Sequence, residues 1–541
     1  MTDPNLENPD QENLDEELLE EGEQEDQESN LGWTGWLISG GIHAILLIIL
    51  IYYVIGPKPE IFEPPATRVA NIPPPPKEQE KPKERSLETK VEINVVKDTE
   101  TPSPITALDL PIETAQRDED SDSPQPKGRE EAVADSEMVG SGAFMAIGAG
   151  GGSSGMFGFR NGGGRKRAIG QHGGSRGSES AVEAGLRWLK KHQSPNGVWD
   201  VVNYPMNCTE DPKCEPGHAS HGPKEGADIA MTGYALLCFL GAGYDHKTAN
   251  KFRDTVKRGV EYLVSVQKAD GRVGPRNYEN GVAVMALCET YAMTNDADLK
   301  DPAQKGINSV LACQSEDPKA VDKAYSKFAW DYGAPNVARN DSSVSGWNVM
   351  ALKSGLAAGL DVGQGIEGSK NWLKRTWKAA NPDWATLDIY KGESKFPYTM
   401  DATTDKTAHE NLACVGLVAC VFLGHQAGDV MLETMANWVM KHQTPGSWAD
   451  MATYYNYYNT LGIFQLGGEK WKKWNDTVRD LLVNAQRKGE GCFDGSWNFA
   501  DSKPWPGSDT GRILSTCYTI LSLEVYYRYA QVSKGAGKKG K

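Results

Sequence analysis

The first 31 residues contain no lysine or arginine. They hold thirteen Asp and Glu and so carry −13 of the net −16, leaving about −3 for the rest of the chain. The acidity therefore belongs to a tail. With so few apolar residues, residues 1–31 cannot offset their ordering entropy and are expected to be disordered, as a solvated or an interacting tail. No GxxxxGK[ST] sequence occurs, and no G-x-G-x-x-G stands between strand and helix signals, which excludes the usual nucleotide cradles. Cysteine is absent before Cys208 and after Cys517, so all nine thiols fall in one region. Charge-free apolar runs long enough to cross a bilayer are also missing, with one exception.

The exception is residues 36–55, WLISGGIHAILLIILIYYVI, twenty residues without a formal charge. That length spans ~30 Å of hydrocarbon as a helix. Trp33, Trp36, Tyr52 and Tyr53 stand at its ends, as interfacial aromatics do. The segment begins too late, and lacks the basic flank and cleavage site, to be a signal peptide. A single-pass anchor over residues 32–56 is expected. Ser39 and His43 share one face at i, i+4 spacing. An ionisable residue inside a membrane helix is a functional candidate.

The S-x-x-x-H pattern, followed by Pro57, Pro59, Pro64, Pro65 and the run 73–76, resembles the anchor of TonB-type energy transducers. The resemblance covers about 45 residues. It implies coupling of Ser39 and His43 to ExbB/ExbD-like motor proteins. It also implies a bacterial inner-membrane location with the N-terminus cytoplasmic and the C-terminal domain periplasmic. The positive-inside rule alone gives the opposite orientation, because Lys58, Arg68 and Lys77 follow the helix. A plain anchor is the alternative.

Residues 57–138 are Pro-rich and charged, a semi-rigid spacer. Residues 139–177 are Gly-rich and read as a flexible linker. Within it, the basic triplet Arg165, Lys166, Arg167 could meet an acidic surface or phosphate and is read as part of a solvated linker; no nucleic-acid partner is expected. Residues 533–541 read as a basic flexible tail.

Between these flanks, residues 178–532 repeat. Trp188 and Leu189 precede Gln193, then Gly197 and Trp199. The pattern recurs at Gln267 with Gly271, at Gln314, at Gln443 with Gly446 and Trp448, and at Gln486 with Gly495 and Trp497. A degenerate copy has Trp377 where the glutamine should be. Fixed self-similarity of this kind signals a repeat architecture. Each glutamine-ending stretch is amphipathic. Each is followed by an apolar stretch, at 228–244, 281–294, 343–360, 407–424, 452–466 and 515–530. Six amphipathic helices alternating with six helices that are apolar almost all round predict an all-α (α/α)6 toroid. Here Gln is expected to bond orphan carbonyls at its own helix end, Gly to make the turn, and Trp to pack over the neighbouring hairpin.

W-L-x-x-x-Q-x-x-x-G-x-W at 188–199 resembles the repeat of the squalene cyclase and prenyltransferase superfamily. The whole of 178–532 resembles prenyltransferase/squalene-oxidase repeat proteins fused to TonB-like anchors in planctomycete-type bacteria. The resemblance implies the toroid. A cyclase of that family would need a D-x-D-D-T-A acid cluster. Asp228 stands alone, and Asp405 to Ala408 reads D-x-T-A without the cluster. The Asp/Cys/His zinc set of the prenyltransferases does not map onto Cys492 and Asp494, and no cofactor is expected. Asp401, Asp405 and His409 would share a helical face, with Glu410 beside them, as weak acid/base candidates; the bland alternative is helix capping plus surface charge.

Cys208 and Cys214 flank a loop followed by His218 and His221. A loop disulfide and a Cys2His2 metal site are both open, the second at unusual spacing. Cys238, Cys288, Cys313, Cys414, Cys420 and Cys517 read as buried packing residues. The expected function is a membrane-anchored periplasmic binding or scaffold module, probed through its cavity ligand. The alternative is a terpenoid cyclase/prenyltransferase-like or saccharide-active enzyme using the ring cavity.

Overall fold

The computed structural model describes residues 43–44, 160, 162–218, 223–317, 326–399, 411–499 and 504–529. Its helices in chain order are α1 (Gly162–His172), α2 (Arg176–Lys191), α3 (Lys224–Gly241), α4 (Arg253–Ser265), α5 (Asn277–Thr294), α6 (Ala297–Ala312) and α7 (Ser342–Ala357). They continue with α8 (Gly365–Ala380), α9 (Ala413–Phe422), α10 (Val430–His442), α11 (Thr453–Leu466), α12 (Gly468–Ala485), α13 (Pro504–Leu523) and α14 (Val525–Arg528). Among the described residues, β structure is limited to isolated bridges such as Gln486 with Trp497.

The apolar helices α3, α5, α7, α9, α11 and α13 form the inner ring. Each packs on the next, and α13 returns to pack on α3. The amphipathic helices α2, α4, α6, α8, α10 and α12 lie outside them. The fold is a closed (α/α)6 toroid, as the alternation predicts. All ten residues of α9 are buried, as are all those of α3 from Ile229 to Gly241. Small residues let the inner helices approach. A Cβ on Gly233 would stand 2.9 Å from Val282, and one on Gly462 would stand 2.6 Å from Leu417. On the outer ring α2 buries Val182, Leu186, Trp188 and Leu189 and leaves Arg187 and Lys190 in water. Each such large apolar side chain contributes roughly 1.5–3 kcal/mol by burial. Asp296, Asp341 and Asp429 cap the N-termini of α6, α7 and α10 through their carboxylates.

The repeated glutamine ties neighbouring hairpins together. Gln193 Nε2 donates to Gly197 O (2.9 Å) in its own turn and to Thr255 O (3.0 Å) in α4. Gln267 donates to Gly271 O and to Pro302 O in α6, and Gln314 to Phe328 O and to Gly365 O in α8. Gln486 donates to Gly495 O and, across the seam, to Ala181 O in α2. The expectation that this glutamine serves its own helix end is therefore corrected. That carbonyl is taken by the tryptophan: Trp199 Nε1 donates to Leu189 O (2.8 Å), Trp330 Nε1 to Val310 O (2.8 Å) and Trp497 Nε1 to Leu482 O (2.7 Å). In the degenerate copy, Trp377 Nε1 donates to Ser394 Oγ, which meets Thr434 of α10 at 2.7 Å. Gln443 departs from the pattern and accepts from Asn459 Nδ2. Its Trp448 is only half-buried.

Two further expectations change. The sequence reading placed 162–172 in a flexible linker, yet the chain there is helical, and α1 packs on α14. Arg165 donates to Ala242 O (2.7 Å) and pairs with Glu179, so the basic triplet is docked in part rather than wholly solvated. The second change concerns location. Among the described residues, no helix is long and apolar enough to cross a membrane, so a single-pass inner-membrane anchor with a periplasmic domain is not retained. The long helices carry charge, such as Lys224, Glu225 and Asp228 on α3, and spend their apolar faces on one another. Ser39 lies outside the described residues, as does the rest of the 36–55 run except for His43 and Ala44, which are helical and exposed. Coupling to an ExbB/ExbD-like motor is not carried forward.

Candidate functional site

Aromatic residues fill the middle of the ring. Tyr234 from α3, Trp347 from α7, Tyr454, Tyr457 and Tyr458 from α11 and Tyr518 from α13 are all buried. The rings of Trp347 and Tyr457 stack at 5.9 Å and 7°, and those of Tyr457 and Tyr518 at 5.7 Å and 27°. A chain of hydroxyls runs through them: Tyr518 Oη donates to Tyr234 Oη (3.0 Å), which donates to Tyr278 Oη (2.9 Å). Trp347 Nε1 adds a bond to Tyr278 Oη (3.1 Å). Burial pushes the Tyr234, Tyr458 and Tyr518 phenols well up, so they stay neutral.

Beside this plug, around the N-terminal ends of α5 and α7, stands a half-buried polar and aromatic cluster. Tyr278 and Tyr332 stack at 6.1 Å and 13°, and the Arg276 guanidinium sits 5.1 Å from the Tyr332 centroid. Asn277 fixes the pair. Its N–H donates to Tyr332 O, and its side chain donates to Asp331 O and Gly333 O. Arg339 pairs with Asp331 and reaches Asp341 at 3.4 Å. Asp341 is held by Ser343 and Val344 as the cap of α7. Burial pushes its carboxyl up, against the hydrogen bonds from Ser343 and Val344 and the charge of Arg339. Tyr398 stands beside Asp341 and Tyr332.

At the opposite end of the ring is a buried ionic cluster. Glu289 of α5 receives Arg160 (3.0 Å), Arg528 (3.2 Å) and the Tyr529 hydroxyl (3.1 Å). Arg160 also donates to Leu240 O and Arg528 O, and Arg528 to Leu237 O, so both arginines serve carbonyls at the C-terminal end of α3. Burial alone would push Glu289 up. The two guanidiniums overcome it and hold the carboxyl below its ordinary value. Glu524, 3.6 Å from Arg528, goes the other way because burial dominates there.

A third cluster lies on the ring's outer wall. His192, at the end of α2, is buried and stacks on Trp188 at 4.1 Å. Its Nδ1 is 2.8 Å from Trp188 O. A carbonyl only accepts, so Nδ1 carries the proton and Nε2 is the bare nitrogen. Nε2 faces Cys208 Sγ at 3.3 Å and Cys214 Sγ at 3.6 Å. Cys492, from the last repeat, completes the group: one ligand atom each from His192, Cys208 and Cys492 lie within 4.8 Å of one another. All three cysteines are buried free thiols, which corrects the disulfide alternative. The turn at Gly491 makes the meeting possible. Its φ is +53°, and a Cβ there would stand 2.1 Å from Asp211 O.

Of the residues singled out in sequence, Cys208 and Cys214 are brought together, but His218 is exposed and His221 lies outside the described residues. His192 and Cys492, not those histidines, lie beside Cys208 and Cys214. Asp401, Asp405, His409 and Glu410 lie outside the described residues. Cys238, Cys288, Cys414, Cys420 and Cys517 are buried as expected, whereas Cys313 is half-buried and accepts from Arg272 (2.7 Å).

No family model matches the chain. It is 34% identical over 96 residues to the squalene–hopene cyclase of Alicyclobacillus acidocaldarius, covering 17% of this chain and 14% of that protein. It is 27% identical over 211 residues to the probable squalene–hopene cyclase of Sinorhizobium fredii, covering 38% of this chain and 30% of the other. The chain thus spans less than a third of the length of these relatives. Among solved structures, the GH76A α-1,6-mannanase of Salegentibacter sp. HEL1_6 superposes with a TM-score of 0.43 at 11% identity, covering 64% of this chain and 98% of that one. An α-amylase from Clostridium perfringens gives 0.40 at 15% identity, covering 65% of this chain and 99% of the other. Scores this low carry no argument about the site. The described domain is an α/α toroid with local sequence similarity to squalene–hopene cyclases.

Proposed function

We propose that the toroid binds a saccharide at the half-buried cluster beside its aromatic plug, as a saccharide-active protein. The observation that carries the reading is the half-buried Tyr278–Tyr332 pair flanked by Arg276, Arg339 and Asp331. Aromatic edges and faces take the C–H surfaces of sugar rings, and Arg and Asp at the rim take hydroxyl pairs; concave sites commonly combine an apolar lining with a few convergent polar groups. The plug favours this ligand over an isoprenoid. Trp347, Tyr457, Tyr458 and Tyr518 occupy the middle of the ring with one another, where a polyene would need space. The likeness to squalene–hopene cyclases supports the shared repeat and is no guide to the ligand over so short a part of them.

The test is a panel of soluble oligosaccharides and of squalene, screened by native mass spectrometry and calorimetry against the full chain. The reading expects a saccharide to bind and Tyr332→Ala to weaken it by at least about tenfold, the loss of ~1.4 kcal/mol of contact. Squalene binding with no saccharide bound, or saccharide binding untouched by Tyr332→Ala and Arg276→Ala, would overturn it. Product analysis in the same tubes reports whether binding leads to cleavage.

A further inference from the structure

We propose that His192, Cys208, Cys214 and Cys492 form a four-ligand Cys3His site for a zinc-class divalent cation, and that this metal clasps the seam where the first and last repeats of the ring meet. All four side chains are buried; the ligand atoms of His192, Cys208 and Cys492 lie within 4.8 Å of one another, and Cys214 Sγ stands beside them, 3.6 Å from His192 Nε2 and 3.3 Å from Cys492 O. His192 presents a bare Nε2 to the sulfurs because Nδ1–H is held by Trp188 O (2.8 Å), the outer-shell bond that orients metal-ligating histidines. Backbone amides point at the sulfurs: Cys214 N donates to Cys208 Sγ (3.4 Å) and Glu210 N to Cys492 Sγ (3.3 Å).

Soft thiolates with imidazole, closed at four ligands, suit zinc in a structural role better than a hard cation or an open catalytic site. Binding one Zn²⁺ displaces one proton from each of the three thiols to solvent, leaving the neutral imidazole as it is. The product carries a net charge of −1. Arg512, paired with Glu215 at 2.8 Å, acts electrostatically on both His192 and Cys214. The placement gives the role. His192 follows α2, and the Cys208–Cys214 loop precedes α3. Cys492 lies between α12 and α13, 284 positions on from Cys208, and its carbonyl also accepts from Trp188 Nε1 (2.7 Å).

The experiment takes the purified full chain, removes metal with a chelator under reducing conditions, and titrates Zn²⁺ and Co²⁺. The expected result is one metal per chain by elemental analysis. Cobalt should show thiolate charge-transfer bands with a tetrahedral d–d pattern, and Tm should rise on adding zinc. Cys492→Ser and Cys208→Ser should each lose at least about tenfold in affinity, whereas Cys288→Ser, in α5, should keep the wild-type value. If the two ligand variants fold poorly, the stoichiometry and cobalt spectrum of the wild-type chain decide alone. Less than half an equivalent bound by the wild type, an octahedral cobalt spectrum, or a Cys208–Cys214 disulfide in peptide mapping of the unreduced chain would each overturn the proposal.

Discussion

Gln193, Gln267, Gln314 and Gln486 each place one amide nitrogen between two carbonyls, one in the turn and one on the next outer helix. Removing such a donor takes one hydrogen bond from each acceptor, although the carbonyl on the next helix keeps its intrahelical partner. Gln193→Ala is therefore expected to cost about 1–3 kcal/mol, read as a lower denaturant midpoint at unchanged slope. The accompanying glycine is less forgiving. A Cβ on Gly271, at φ +87°, would stand 2.1 Å from Lys305 O, so Gly271→Ala should cost more than the glutamine change in the same assay. A different single residue offers a gain. Lys353 of α7 is buried, and burial, with Lys370 nearby, lowers its pKa to about 8. A lowered folded pKa means stability is lost as pH falls from the unfolded value near 10.5 through 8. Lys353→Met should thus stabilise the protein by up to about 3 kcal/mol below pH 8. The gain should shrink between pH 8 and 10.5, and a flat difference across that window would contradict it. The Gln, Gly and Trp positions were legible in the sequence because they recur. Their bonds were not, since the partner carbonyls on Thr255, Pro302 and Gly365 lie a whole hairpin away and carry no residue preference.

At the scale of elements, the hydrophobic pattern located four of the six inner helices to within about four residues, because burial on every side leaves no polar face to blur; it began α9 six residues early, at 407 rather than Ala413, and α13 eleven residues late, at 515 rather than Pro504. It failed at α1, whose glycines read as linker. What holds that end of the chain is Arg160, whose partners Leu240, Glu289 and Arg528 lie far along the sequence. Breaking a buried ion cluster by removing one member is costly. Glu289→Gln leaves Arg160 and Arg528 facing each other, and is expected to destabilise by about 3–5 kcal/mol and to raise amide exchange in α1 first. Glu289 is held below its ordinary pKa, so its contribution is complete above the unfolded value and is lost as pH falls through the lower folded value. Below that value the wild type and Glu289→Gln should converge.

At the scale of the whole molecule, His192 and Cys492 show what a linear reading loses. The linear reading offered Cys208 and Cys214 either each other, as a loop disulfide, or His218 and His221 at unusual spacing, because these follow Cys214 directly. A closed ring makes residue 492 a neighbour of residue 208, so the relevant distance runs across the seam. The seam bond should weigh as much as an internal one: Gln486→Ala is expected to match Gln193→Ala within about 0.5 kcal/mol. A much smaller loss would mean that the ring opens there before it unfolds.

The direction of the glutamine bonds has one more consequence. In four of the six repeats the hairpin donates through its glutamine to the next outer helix, so these contacts are head-to-tail, a heterologous arrangement that either closes or propagates. Six units close. A chain with one inner and outer pair excised would hold a donor at one end and an acceptor at the other, set at the wrong angle to meet. It should pass those ends to further copies and assemble into open, concentration-dependent polymers rather than a smaller ring.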